Sequence, residues 1–123
     1  MEGFKQEVKR SSRELTNREK VALKHVEAIK LDEVVTPEAS ITIEPTAWAV
    51  LNVHNEKSDR KDYEQYLIQD SEGVWYATGS QAFWDTFIDI WTDMDGEDDF
   101  SLNIYKVESK NYRGKYFITC NID

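Results

Sequence analysis

The feature that most constrains the fold is a change in hydrophobic period along the chain. From Ile41 to Val53 apolar side chains alternate with a period of two, as in a β-strand with one buried face. From Phe83 to Trp91 they recur at every third or fourth residue, as in an amphipathic helix. Alternation returns at Phe100. The sequence therefore predicts one helix between two groups of strands.

Turn and capping residues divide this pattern into elements. Ser71-Glu72-Gly73 predicts a hairpin turn because glycine accepts a positive φ, and Ser80 predicts the N-cap of the helix. Pro45 has no amide proton for a sheet ladder, so we expect an edge or a bulge there. The helix is expected to stop near Asp95-Gly96. The five predicted strands cover residues 41–54, 63–70, 74–78, a stretch from 100 onward, and 116–122.

The first 40 residues differ from the rest and are treated as a separate N-terminal region. Residues 1–15 are polar without apolar periodicity, which predicts a mobile tail. Thr16-Asn17-Arg18-Glu19 fits a capping box and starts a predicted helix over 17–31, although part of that stretch also fits strand alternation. The predicted organisation is a tail and helix over 1–40 and one β domain over 41–123.

The order of elements predicts a fold as well as a class. Three strands, a helix and two strands form the order of an OB-fold, a small Greek-key barrel. The chain of 123 residues is long enough for one such domain and its core. We therefore predict a mainly β protein, a five-stranded OB-fold barrel with an N-terminal helical extension. A twisted sheet with two helices packed on one face is the alternative.

The net charge of −9 argues against a nucleic-acid ligand, but the distribution of the charges along the chain does not. In an OB-fold the loops after the first and fourth strands, here 55–62 and 108–115, flank one binding face. Most of the basic residues beyond position 30 fall in those loops, although acids balance the first. The predicted phosphate contacts are Lys57, Arg60, Lys61, Lys106, Lys110, Arg113 and Lys115.

A face that binds single-stranded nucleic acid also needs exposed aromatic residues. A turn at 71–73 pairs Ile68 with Tyr76 and directs both to the core, which leaves Trp75 exposed on the opposite face. Bases stack on exposed aromatic rings in sequence-tolerant single-strand binding. Alternation alone leaves open whether Phe117 or Ile118 faces inward. The predicted stacking residues are Trp75, Tyr112, Trp48, Tyr63 and Tyr105.

Other chemistry is not indicated. The two histidines and the single Cys120 are too few for most metal or catalytic sites, so we expect no cofactor, no metal and no enzyme. No apolar run is long enough to span a membrane, and the first seven residues lack the apolar core of a secretory signal. A cytoplasmic location is expected.

Two segments resemble a known family. Residues 62–70 (DYEQYLIQD) with 73–83 (GVWYATGSQAF) are similar to the central hairpin and helix start of small OB-fold single-stranded DNA-binding proteins from phages and conjugative elements of Gram-positive bacteria. Residues 109–120 (SKNYRGKYFITC) resemble their last loop and strand. The resemblance covers about 41–123. It implies non-sequence-specific single-strand binding in replication, recombination or conjugative transfer, and self-association, here expected through residues 1–40.

Two expectations qualify this resemblance. Many bacterial single-strand binders recruit partners through an acidic tail, and the sequence given stops at Asp123, so such recruitment is not expected. The alternative function is an acidic protein-interaction module or a DNA-mimic inhibitor from a mobile element, which would dock a basic partner. Its surface would be the acidic residues Asp85, Asp89, Asp93, Asp95, Glu97, Asp98 and Asp99.

Overall fold

The computed structural model describes residues 4–56, 62–94 and 100–122. These residues form eight strands and three helices. In chain order the elements are β1 (Phe4–Ser11), α1 (Asn17–Lys24), β2 (Ile29–Lys30), α2 (Leu31–Val34), β3 (Ile41–Ile43), β4 (Pro45–Asn55), β5 (Asp62–Asp70), β6 (Trp75–Thr78), α3 (Gln81–Met94), β7 (Leu102–Glu108) and β8 (Tyr116–Ile122).

The strands form two sheets, one of five strands in the order β1-β4-β5-β6-β2 and one of three in the order β3-β7-β8. All neighbouring pairs are antiparallel except β2 and β6. The fold is therefore mainly β, as expected. Within the described residues β6 does not pair with β8, so the closed barrel of the sequence prediction is not formed.

Pro45 marks the passage from one sheet to the other. The pairing register shifts between Pro45 and Ala47, which confirms the expected bulge. An extra residue reverses the side-chain phase of a strand. Ile43 before the bulge therefore shares the main core with Val50, whereas Leu51 lies on the other face of β4. The prediction of one alternating strand with a single buried face from Ile41 to Val53 is wrong for this reason.

The main core lies between the two sheets and α3. Phe83, Trp84 and Phe87 are buried on one side of α3, and the Trp84 ring stacks on Tyr66 with centroids 4.9 Å apart. The helix begins as predicted, since the Phe83 amide donates to Ser80 Oγ at 3.2 Å. Each large apolar side chain buried here contributes about 1.5–3 kcal/mol.

A second apolar cluster lies on the outer face of the five-stranded sheet. Buried residues of β4, β5 and β6 meet Leu23 of α1 there, with Val8 and Val26 packed at the margin. The outer face of the sheet is therefore covered by the N-terminal part of the chain. The buried members are Leu23, Ala49, Leu51, Val53, Leu67 and Ala77.

The predicted mobile tail over 1–15 is wrong for residues 4–11. β1 pairs antiparallel with β4 from Phe4 opposite Asn55 to Ser11 opposite Ala49. An edge strand needs backbone partners rather than apolar side chains, and in β1 Val8 packs against the second cluster. The polar sequence of β1 therefore lacks the alternating apolar residues by which a strand is predicted.

The N-terminal helix starts where the sequence predicts and ends earlier. The Glu19 amide donates to Thr16 Oγ1 at 3.2 Å, and the Thr16 amide donates to the Glu19 carboxylate at 3.1 Å, which confirms the capping box. α1 ends at Lys24 instead of residue 31, because Ile29 and Lys30 pair with β6. No helix among the described residues is long and apolar enough to cross a membrane.

Candidate nucleic-acid interface

The β5–β6 hairpin has the predicted register. Ile68 lies opposite Tyr76 and Tyr66 opposite Thr78. The turn is held by Asp70, whose Oδ1 accepts from the amides of Glu72 at 3.0 Å and Val74 at 2.9 Å. Gly73 has φ +83°, which explains why glycine stands there. The hairpin therefore directs Trp75 to the outer face of the sheet, as predicted.

Trp75 is not exposed in the middle of an open groove. It is half-buried and packs against the second apolar cluster beneath α1. A cleft of about 230 Å³ lies between this face and the residues that cover it, and Trp75, Gln69 and Ala47 line it from the sheet side. The local hairpin was predicted, but the covering segment is a tertiary feature that alternation does not reveal.

Two other predicted stacking residues also pack inside the protein. Trp48 was expected to face outward, but it meets Trp84 edge to face with centroids 5.5 Å apart, and its indole N–H is buried without a hydrogen-bond partner. The bulge at Pro45 accounts for this error, because it moves Trp48 to the main-core face. Tyr63 is half-buried against the second cluster.

The β7–β8 hairpin presents the exposed aromatic rings. Glu108 lies opposite Tyr116 and Ile104 opposite Cys120, so Ile118 and Cys120 face the core. Phe117 therefore faces outward and is 48% exposed, and Tyr116 is 46% exposed. Tyr105 is half-buried. It lies on the same side as Phe117, since both alternate with inward-facing neighbours.

Basic residues surround Tyr112 in the loop of this hairpin. Tyr112 is 63% exposed, and Lys115 Nζ lies 5.5 Å from its ring centroid, within the range of a cation–π contact. Lys110 and Arg113 are also exposed. Gly114 has φ +79° and turns the chain back into β8. Rings and positive charge thus occur together in the part of the sequence where both were predicted.

Lys106 has a different position from its loop neighbours. It lies on the inward side of β7, opposite Ile118, and is half-buried. Its Nζ donates to the backbone oxygen of Asp32 at 3.0 Å, and the Asp32 carboxylate accepts from Thr78 Oγ1 at 3.0 Å. Lys106 therefore ties β7 to α2 and β6.

Lys57, Arg60 and Lys61 of the other predicted basic loop, 55–62, lie outside the described residues. His54 stands before that loop, with Nδ1 2.7 Å from Asp62 and Nε2 2.7 Å from Glu56. Hydrogen bonds to Asp62 and Glu56 raise the pKa of His54. The two carboxylates therefore favour an imidazolium and are partly neutralised by it.

The other groups to consider are the Cys120 thiol and the acidic side chains. Cys120 is buried, and desolvation raises the pKa of its thiol to about 12, so the thiolate is not available. The described ranges hold no group of three or more His, Cys, Asp or Glu residues placed to bind a metal. Asp85, Asp89 and Asp93 lie on the exposed side of α3. The predicted acidic residues Asp95, Glu97, Asp98 and Asp99 lie outside the described residues.

Sequence reasoning left out Phe117 and Tyr116, although a signal for Phe117 was present. If Glu108 and Tyr116 close the hairpin, Ile104 must lie opposite Cys120. Ile104 belongs to the inward set of its strand, so Cys120 and Ile118 must face inward as well. Phe117 then faces outward. Counting paired residues outward from the turn in this way predicts correctly which residues of the β5–β6 hairpin face the core.

No protein family model, curated protein sequence or solved structure matches this chain.

Proposed function

We propose that this chain binds single-stranded DNA without sequence specificity, in the cytoplasm, during replication, recombination or conjugative transfer. The observation that carries the proposal is the composition of the β7–β8 hairpin. Tyr112, Tyr116 and Phe117 are exposed there, beside three lysine and arginine side chains of the loop. Aromatic side chains are mostly buried in proteins, and several of them exposed in one region often mark a binding surface.

Rings and charges in this hairpin suit two parts of one ligand. Every nucleobase has a π-face, so Tyr112 and Phe117 would stack bases with little regard to sequence. Lys110, Arg113 and Lys115 would contact phosphates between them. The stretch 108–115 is basic, because it has three lysine and arginine residues and one acidic residue, Glu108.

A small number of phosphate contacts predicts modest salt dependence. Each contact to a single strand changes log K by about −0.7 for each tenfold increase in salt. Three contacts therefore predict a slope of about −2. A net charge of −9 also weakens long-range attraction to DNA, so binding should be slow or weak compared with that of a basic protein.

We also propose that the two sheets are an opened form of the OB-fold. Residues 41–55 form β3 and β4, which pair with β7 and β5 respectively, so one strand region is shared by both sheets. α3 connects β6 to β7, between the third and fourth strands of the predicted barrel. In an OB-fold these are the places of the first strand and the helix. The family resemblance further predicts self-association, which stays a prediction.

Fluorescence anisotropy of labelled oligo-dT tests the proposed binding. Tyr112→Ala and Phe117→Ala should each weaken binding roughly 5- to 150-fold, the effect of about 1–3 kcal/mol per stacked base. Tyr112→Phe keeps the ring and should bind nearly as well as the natural protein. Equal affinities for all four proteins would contradict the hairpin as the binding surface, and no binding at low salt would contradict the function.

The acidic surface of α3 supports a competing proposal, namely docking of a basic protein partner. Asp85, Asp89 and Asp93 follow at intervals of four residues and are all exposed. Asp85→Lys and Asp89→Lys should leave oligo-dT binding unchanged or slightly stronger under the DNA-binding proposal. If these variants instead abolish capture of a basic host protein, and oligo-dT does not bind, the acidic surface is the functional one.

A further inference from the structure

The segment from Ser12 to Ala28, which we call the cover, lies over the apolar outer face of β4, β5 and β6. Of its residues, Leu23 is buried in the second cluster, whereas Leu15, Val26 and Ala28 are half-buried at its margin. Trp75 lies under the cover and lines the cleft of about 230 Å³ between the two layers. The cover therefore meets the sheet through one fully buried side chain with incomplete packing around it. Its first residue is also bonded to β4, because the Ser12 amide donates to the Trp48 backbone oxygen at 2.9 Å and Ser12 Oγ accepts from the Trp48 amide at 3.0 Å.

Beyond Ser12, contacts within the cover order α1. Arg13 donates to the Glu19 carboxylate, and this hydrogen bond lowers the pKa of Glu19 to about 2. Thr16 caps the first turn of α1. An isolated helix of eight residues is marginal in water, so α1 depends on Leu23 to stay ordered. Segments with few buried apolar contacts open at lower free energy than the core does.

The charge of the cover is mixed. Arg18, Lys20 and Lys24 are exposed on α1, and Glu14 and Glu27 are exposed on either side of that helix. A strand of DNA that reached Trp75 would take the space that the cover occupies, so competition between DNA and the cover follows from their position rather than from charge.

We propose that the cover is displaceable and competes with single-stranded DNA for the face around Trp75. This inference rests on the proposed DNA binding. In the closed state DNA has access to the β7–β8 hairpin, and in the open state it gains the Trp75 ring as well. A ligand shifts such an equilibrium only if it binds one state more tightly than the other. The apparent affinity for the Trp75 face is therefore reduced when only a small fraction of the protein is open.

Two variants of the cover shift the equilibrium in opposite directions. Leu23→Ala removes the anchor and should tighten oligo-dT binding at least about tenfold, provided that the Trp75 face contributes to binding. Ala22 is exposed and lines the cleft from the cover side, so Ala22→Leu adds apolar contact to the closed state and should weaken binding roughly fourfold. Near-ultraviolet circular dichroism of both variants checks that the main core is intact.

Amide hydrogen exchange of the natural protein gives a readout that does not depend on affinity. The Lys20 amide donates to Thr16 and the His25 amide to Ala22, so exchange at these positions reports opening of α1. Addition of oligo-dT should speed exchange there. Slower or unchanged exchange would overturn the proposal, because the cover would then stay closed in the complex.

The affinities separate the two proposals. If the natural protein and both variants bind oligo-dT equally, the proposed displacement of the cover is wrong and the proposed DNA binding still stands. Weaker binding by a folded Leu23→Ala protein would also overturn the proposed displacement, since α1 would then be part of the binding surface. No binding by any of the three would refute the DNA-binding function and with it the competition.

Discussion

Asp70 is the residue whose loss should most disturb the hairpin that carries Trp75. Its side chain is buried and accepts from the amides of Glu72 and Val74, and Tyr76 donates to its other oxygen at 3.3 Å. Asp70→Ala removes both acceptor oxygens, and with them all three hydrogen bonds, without replacing them. Val74 is half-buried, so its amide recovers water poorly, whereas the exposed Glu72 amide is rehydrated.

The expected cost follows from these three bonds. A hydrogen bond to a charged group contributes about 1.5–3 kcal/mol, and only the Val74 bond is counted in full. The Glu72 bond and the long Tyr76 bond add a fraction of that. Asp70→Ala should therefore lower the free energy of unfolding by about 2–3 kcal/mol, measured by urea denaturation with linear extrapolation.

Two further variants make this prediction refutable. Asp70→Asn keeps one acceptor oxygen and should cost about 1 kcal/mol. Asp89→Ala changes an exposed aspartate of α3 and should stay within about 0.5 kcal/mol of the natural protein. A loss of less than about 1 kcal/mol for Asp70→Ala would show that the turn is held by its backbone alone.

Three smaller perturbations test local features. Thr16→Ala should cost α1 about 1 kcal/mol and speed amide exchange in that helix, while Thr16→Ser should not; equal rates would argue against the cap. Cys120 should react with a thiol reagent only after unfolding, because its pKa is raised to about 12 by burial; rapid native reaction would contradict that burial. The raised pKa of His54 contributes stability below its unfolded value near 6.5, and this is lost as the pH rises through the folded pKa. His54→Gln should thus lower the melting temperature more at about pH 5.5 than at about pH 8.5, and an equal effect would count against the ion pairs with Glu56 and Asp62.

Local sequence signals predict the β5–β6 hairpin and the starts of α1 and α3 correctly. The β5–β6 register follows from a three-residue turn, and the capping residues Thr16 and Ser80 each satisfy an early amide of the helix that follows. Such features depend on residues close together in the chain. The strand bounds at 116–122 and the bulge at Pro45 are of the same kind.

The errors arise where distant segments meet. β1 is a polar edge strand whose partner lies some forty residues away, so no local pattern announces it. The same N-terminal region covers the face that Trp75 was expected to expose. Barrel closure depends on contact between β6 and β8, which no alternation specifies. These features depend on tertiary packing, which determines how each strand pairs and which sheet face is covered. The local sequence pattern does not distinguish these arrangements.

The candidate site was predicted in part. Tyr112, Lys110, Arg113 and Lys115 are exposed in the hairpin loop, as the charge pattern suggested. Phe117 required the strand register, because alternation in β8 fits either phase.

Nuclear magnetic resonance of the isotopically labelled chain, titrated with oligo-dT, tests the central claim most directly. We predict amide shifts between Ser109 and Phe117 that weaken as salt is added. Shifts confined to the exposed aspartates of α3, or no shift at low salt, would contradict single-strand binding by the β7–β8 hairpin.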